Sequence, residues 1–303
     1  MGGILKLKRD VDSRRIGWYL GLVFALSNLW TFPLFFLQPE ENSPIMMVAG
    51  TGFMVFPTVS AVLVKHWTKD DSGMFLGLSL KKHWPLYAMA AFAPGLFIVF
   101  GATLYFLLFP KQLDLSLGYV RSLMEASGQT VVVPTLTLSM AAGFAAVAVI
   151  AAPLVIVNHV LAFGEELGWR GYLLPKLCRK LGIPRAVILD GVLWGLIHAP
   201  LVCFGLNYTG SYPGRPWAGI LMMVVFATVL GIFCSFLTLK TKSIYPACIA
   251  HGALNAIREF PLFLCQPGYN ALLGPKPSGI VGMAGFLLLD IVLMRMLRKQ
   301  GVQ

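Results

Sequence analysis

At 303 residues, 57% hydrophobic and only 12% charged, with a mean hydropathy of +0.75, this chain is too poor in charge for a water-soluble domain, in which about 25% charged residues is usual. The net charge of +11 would point to nucleic acid in a soluble protein. Here the lysines and arginines sit in short loops between apolar runs, which assigns them to membrane topology and anionic lipid and leaves no nucleic-acid partner to expect.

In chain order, apolar stretches run over 16–37, 44–65, 86–109, 139–166, 186–203, 217–239, 244–265 and 279–297. Each meets or approaches the ~20 residues that a bilayer core of about 30 Å demands. The first follows a basic segment without a small-residue cleavage site, so it reads as a retained anchor. Residues 66–85 mix Lys, Asp and a Phe-Leu-Gly-Leu-Ser-Leu run and read as a cytoplasmic interfacial segment, in which His66 and His83 are expected to be solvated. Residues 110–132 read as an amphipathic loop on the opposite membrane surface. No repeat or low-complexity tract divides the chain. The expectation is one all-α domain over 1–303, a polytopic integral membrane protein of about eight helices.

An even number of spans puts both termini on one side. That side carries 18 basic residues, among them Arg14, Arg15, Lys65, Lys176, Arg179, Lys242 and Lys299. The other carries five: Lys111, Arg121, Arg215, Arg258 and Lys276. Such a bias sets the termini in the cytoplasm of a cell membrane, or of the endoplasmic reticulum in a eukaryote. The five cysteines, Cys178, Cys203, Cys234, Cys248 and Cys265, show no CxxC spacing, which argues against a thiolate metal site. Cys203 and Cys265 fall near the non-cytoplasmic face, where a disulfide could form.

From Val131 to Phe163 there is no charge, and then Glu165, Glu166 and Arg170 follow. Each such group costs ~2.5–3.5 kcal/mol near the bilayer centre, so the default reading is a functional site. On a helix, Glu166 and Arg170 form a favourable i,i+4 pair. Glu165 is left pointing about 100° away without a partner. His198 follows Trp194 by one turn and precedes Pro200, which ends or kinks its helix. His251 and Asn255 share a face at i,i+4, with Pro246 placed to open the backbone nearby. Counted from the nearest cytoplasmic basic residue, Glu165, His198 and His251 lie at depths of about 16, 20 and 13 Å.

A carboxylate, an imidazole and an imidazole–amide pair at similar depth suit water attack on an amide. Glu165 would be the general base and His198 would share or position the water. His251 and Asn255 would stabilise the oxyanion, a term often worth ~2.7–4 kcal/mol per donor. The alternative is a zinc site built from Glu165, His198 and His251 with water as fourth ligand. The absence of HExxH favours a site without obligatory metal. His159 reads as a helix-bridging hydrogen bonder, and Asp190 and Asp290 as packing or cavity groups. Glu166, Arg170 and Trp194 read as structural support.

At these residues the chain resembles the CPBP family, which includes the type II CAAX prenyl endopeptidases and bacteriocin-processing proteins. The resemblance covers about 139–258, the fourth to seventh spans. Its EExxxR motif stands as Glu165-Glu166-Leu-Gly-Trp-Arg170, its FxxxH as Trp194-Gly-Leu-Ile-His198, and its HxxxN as His251-Gly-Ala-Leu-Asn255. Trp194 departs from the family's Phe. The resemblance implies an intramembrane endopeptidase in which Glu165 and His198 activate water while His251 and Asn255 form the oxyanion hole. It implies a peptide or protein substrate, prenylated or otherwise lipidated, and leaves zinc open. The reading places the site in a cavity open to the cytoplasm. Two readings from other classes stand beside it: a transporter with an ionisable relay, and a non-catalytic scaffold or immunity protein.

Overall fold

Every one of the eight apolar stretches folds as helix, and the described residues contain no β-strand. The structure, a computed structural model, describes residues 2–41, 43–78, 80–129 and 132–300, with side chains from residue 11 to 299. The expected cytoplasmic residues Lys6, Lys8 and Arg9 therefore have side chains outside the described part.

Helix α1 (Gly2–Thr31) leads through a turn to the short α2 (Leu34–Leu37). The second stretch is broken into α3 (Pro44–Phe53) and α4 (Phe56–Trp67). Pro57 is the cause, because it cannot donate to the carbonyl of Phe53. Helix α5 (Leu80–Leu108) begins earlier than expected and takes in His83, which is half-buried at a kink, whereas His66 is exposed near the end of α4. Helix α6 (Gly118–Ala126) is the amphipathic element of the 110–132 loop. Helix α7 (Leu138–Ala151) bends by 58° at Pro153 into α8 (Ile156–Glu166). A π-helical segment, Leu167–Leu173, then runs into α9 (Leu174–Leu181). Helix α10 (Ile183–Ile197) and the short α11 (Ala199–Cys203) flank His198, and α12 (Trp217–Thr241) returns antiparallel to α10. Last come α13 (Tyr245–Ile257), α14 (Phe260–Phe263) and α15 (Ala284–Gln300).

Among the described residues, four segments are long and apolar enough to cross a membrane, and the bent α7–α8 pair would make a fifth. The other three of the eight expected spans are shorter helices. Helices α10, α13 and α15 have 15, 13 and 17 residues. Pro200 removes a helical donor after α10, Arg258 and Glu259 follow α13, and the Gly- and Pro-rich 264–283 stretch precedes α15. That stretch is largely a buried loop rather than the start of a span. Its polar backbone is satisfied internally, as a low-dielectric setting requires: Ile280 and Val281 donate to Leu272 and Leu273 at 2.9 Å, and the Tyr208 hydroxyl donates to the Ser278 carbonyl at 3.0 Å.

Small residues set the closest helix pair. On α10, a Cβ at Gly191 would stand 2.6 Å from the Cα of Thr228, and at Gly195 it would meet Val224 of α12 nearer still. This small-xxx-small pattern lets two backbones approach where lipid offers no hydrophobic drive.

The basic face is tied together by buried carboxylates. Asp70 contacts Lys176 at 2.9 Å and Arg15 at 3.3 Å, and Asp12 contacts Arg179 at 2.8 Å. Lys176 is thus buried, not a surface marker of depth. The 68–78 segment lies against the α12–α13 turn, where Ile244 donates to the Phe75 carbonyl at 2.9 Å. On the opposite face Glu41 pairs with Arg215 at 2.7 Å. All five cysteines are unbonded, so the disulfide between Cys203 and Cys265 is not formed. His159 bonds the Pro153 carbonyl at 2.9 Å, bridging the α7–α8 bend rather than two separate helices. Asp290 is buried, and neither of its oxygens has a hydrogen-bond partner among the described residues.

Candidate active site

Glu165 and Glu166 are the last residues of α8, both buried, immediately before the π-helical turn. Such wide turns are rare and recur at functional sites. Because adjacent residues diverge around a helix, the two carboxylates face different neighbours. Glu165 meets α10, while Glu166 meets Arg170 and α13.

On α10, Asp190, Trp194 and His198 follow at i, i+4 and i+8 and share one face. The Trp194 indole N–H donates to Glu165 Oε2 at 2.5 Å. Glu165 is therefore not partnerless as expected: one oxygen is fixed by an indole. The departure from the family's Phe at this position supplies that donor, which Phe lacks. The same ring lies 4.1 Å from the Arg170 guanidinium and edge-on to His251, with centroids 5.2 Å apart.

Arg170 is fully buried between two carboxylates, with Glu166 and Asp190 each at 3.3 Å. The Asp190 contact is an ion pair without the alignment of a hydrogen bond. Glu166 does more than pair with Arg170, because His251 Nδ1 lies 3.0 Å from the same Oε1. A carboxylate oxygen only accepts, so His251 Nδ1–H donates to Glu166 and Nε2 is left facing the cavity. This is the orienting role that a buried carboxylate plays beside a catalytic histidine.

His198 ends α10, where Pro200 breaks the helical bonding. Its Nδ1 donates to the Trp194 carbonyl at 2.7 Å, and its ring packs on Phe53 with centroids 5.0 Å apart. The carbonyl can only accept, so the proton is on Nδ1 and Nε2 is turned towards Glu165 Oε1, 3.9 Å away. That separation exceeds a hydrogen bond and lets one water touch both atoms.

The zinc alternative would use the same side chains. Glu165, His198 and His251 are suitable donor types, and both imidazoles are held through Nδ1 as ligating histidines commonly are. However, no three His, Cys, Asp or Glu side chains among the described residues converge on a point that could hold a metal ion. The side chains as folded do not fit the ion.

Glu165, Trp194, His198, His251 and Asn255 all line one cavity of about 510 Å³. All four expected catalytic residues are thus brought together, whereas Glu166 and Arg170 lie behind the wall. From this floor the cavity rises past Met46, Met47 and Thr51 of α3 and Asn158 and Leu161 of α8 to Tyr119, Thr209 and Lys276. Those last residues belong to the loops opposite the basic face. No lining residue comes from 56–85, 166–193 or 231–250, which include the loops of the basic face. The cavity is therefore lined from the end of the bundle away from the basic loops, whereas the sequence expectation sets its opening and those loops on one side.

Two features escaped sequence reasoning. Asp190 is Arg170's second counter-ion, and its spacing of four residues before Trp194 was the available signal. The Glu166–His251 bond had no local signal, since it joins helices 85 residues apart.

Fold and site together define an all-α polytopic membrane protein with a buried carboxylate–imidazole centre beneath a cavity. Residues 146–257 match the family model for Rce1-like type II CAAX prenyl endopeptidases. A CAAX prenyl protease 2 from Methanococcus maripaludis is 32% identical over 109 residues, 35% of this chain and 40% of that protein. The chain thus matches about 40% of that relative's length. Both findings support the CPBP family assignment.

Proposed function

We propose that this chain is an intramembrane endopeptidase of the type II CAAX kind, cutting a peptide bond in a membrane-tethered polypeptide. One observation carries the reading: at the cavity floor, Glu165 Oε1 and His198 Nε2 face each other across 3.9 Å, with each side chain's other polar atom pinned to Trp194. A water held there donates one hydrogen to Glu165 and the other to His198, which turns its lone pair towards the cavity. As its oxygen bonds to the scissile carbonyl carbon, Glu165 takes the proton. The carbonyl oxygen becomes an oxyanion facing His251 and the Asn255 amide, one turn apart on α13. Collapse breaks the C–N bond, and the proton on Glu165 passes to the departing amine.

The relative's name and the family description favour a lipidated protein, cut near its C-terminus, as substrate. Zinc chemistry is the competing version of the same activity. The test is cleavage of a lipidated, internally quenched peptide by purified protein. Wild type is expected to cleave and Glu165→Gln is not; full activity in Glu165→Gln would end the base assignment. Elemental analysis of chelator-washed, still active enzyme decides the metal question: stoichiometric zinc lost in parallel with activity would overturn the metal-free reading.

A further inference from the structure

We propose that Arg258 and Lys276 form a carboxylate subsite in the cavity wall beyond Asn255, where they hold the free C-terminus of the polypeptide being cut. The inference rests on the endopeptidase reading above and adds two residues that select for a chain end.

Three observations carry it. First, the cavity wall holds a surplus of positive charge. Its charged side chains, histidines apart, are Glu41, Glu165, Arg258, Glu259 and Lys276. Glu41 is occupied by Arg215 at 2.7 Å and by the Gly210 amide at 2.9 Å, and Glu165 stands on the floor. Arg258 and Lys276 share one oxygen, Glu259 Oε1, at 3.4 and 2.8 Å. Two cations thus divide a single carboxylate among the described residues, and a second anion would balance them. Second, the buried member of this group is a cation. Lys276 is 4% exposed, whereas the Glu259 side chain is 46% exposed, so the lysine is not there to neutralise a buried acid. A dedicated loop holds it. Ile280 and Val281 donate to Leu272 and Leu273, the Tyr208 hydroxyl fixes the Ser278 carbonyl, and Gly282 lies so close on the Lys276 carbonyl that a Cβ has no room. Third, the cations continue the line of the oxyanion donors. His251, Asn255 and Arg258 follow at i, i+4 and i+7 and share one face of α13 and its C-cap. The rise from His251 to Arg258 is about 10 Å, which a few extended residues at ~3.3–3.6 Å each can cover. From the glutamates the helix runs on into Trp169 and Arg170, which have no exposure, so both arms of a bound chain must rise from the floor. The arm beyond the scissile bond then starts at the α13 donors and ends at the α13 cation. There the arginine fork can take a carboxylate through two N–H groups, and the lysine adds a point charge.

The test uses two lipidated, internally quenched peptides of one sequence, ending in a free carboxylate or in a carboxamide, with purified protein in detergent. For wild type the KM of the amide is expected ~10-fold above that of the acid. In Arg258→Gln and in Lys276→Gln this ratio should fall towards one. In Glu259→Gln, which removes the competing carboxylate, it should widen. An ion pair that only braces the loop would shift both peptides together and leave the ratio intact. Arg258 is about one-third exposed, so its variant keeps the test standing if Lys276→Gln fails to fold. Equal KM values in wild type, as expected if the cations hold a lipid phosphate instead, overturn the subsite and leave the endopeptidase reading in place. A ratio that survives in both cation variants does the same. Cleavage of neither peptide overturns the endopeptidase reading and the subsite with it.

Discussion

Replacing Glu166 by Gln separates the two roles that the structure gives this side chain. Its Oε1 accepts from Arg170 at 3.3 Å and from His251 at 3.0 Å with no exposure to solvent. Glutamine keeps the volume and removes the charge, so Arg170 retains Asp190 alone and His251 loses the carboxylate that orients its ring. Breaking a buried charge pair by removing one partner costs about 3–5 kcal/mol. A His251 ring no longer held by that carboxylate is misplaced for the oxyanion, a loss of about 10²–10³ in kcat for one donor. Both effects are therefore expected: a lower unfolding midpoint in detergent and a kcat reduced about 10²–10³-fold. Glu165→Gln is the contrasting control, because its amide oxygen still accepts from Trp194. It should lose about 10²–10⁴ in kcat with little change in stability. If Glu166→Gln were destabilised while keeping its kcat, the His251 contact would be packing alone. If neither quantity moved, the charge reasoning for the cluster would be wrong.

Trp194→Phe removes the donor to Glu165 and keeps an aromatic ring beneath Arg170. A charge-assisted hydrogen bond is worth about 1.5–3 kcal/mol, so a kcat loss of roughly tenfold is expected. An unchanged kcat would mean the indole does not hold the carboxylate. At the basic face, burial pushes the Asp70 carboxyl up, but hydrogen bonds from Lys176 and Ser72 and the ammonium charge outweigh it and hold the group well below the usual carboxylate range. Its contribution to stability is then fully present above the unfolded value of about 3.9 and is lost as pH falls through the folded one. The stability gap between wild type and Asp70→Asn should hold at neutral pH and close in acid; a gap that widened in acid would contradict this sign. Gel mobility should be the same with and without reductant, since no cysteine pair is bonded. A shift on reduction would restore the Cys203–Cys265 bridge.

The site was more legible in the sequence than the fold was. Glu165, His198, His251 and Asn255 could be grouped because intramembrane polar residues are costly and because their spacings within each helix are fixed. What the sequence hid was long-range or conformational. Glu166 meets His251 only because α8 and α13 pack together. The depth count used Lys176 as a surface mark, but Asp70 lets that lysine stay buried. Span lengths were overestimated for α10, α13 and α15 because hydropathy cannot distinguish a helix from an apolar loop buried in protein, as in 264–283. The end of the bundle at which the cavity is lined was hidden for a related reason, since packing alone decides which end of a bundle is plugged.

The wide turn at Leu167–Leu173 has a consequence beyond its own geometry. An α-helix advances 100° per residue, and a π turn holds back that phase. Glu165 and Lys176 stand on either side of it, one aimed into the cavity and the other at Asp70. The turn works as a phase setter, letting the cavity end and the anchored end of one continuous helix keep separate angular registers. Regularising it to plain α-helix without removing a residue would rotate one end relative to the other by about 100°. Either Glu165 or Lys176 would then lose its partner, and the helix could not serve both.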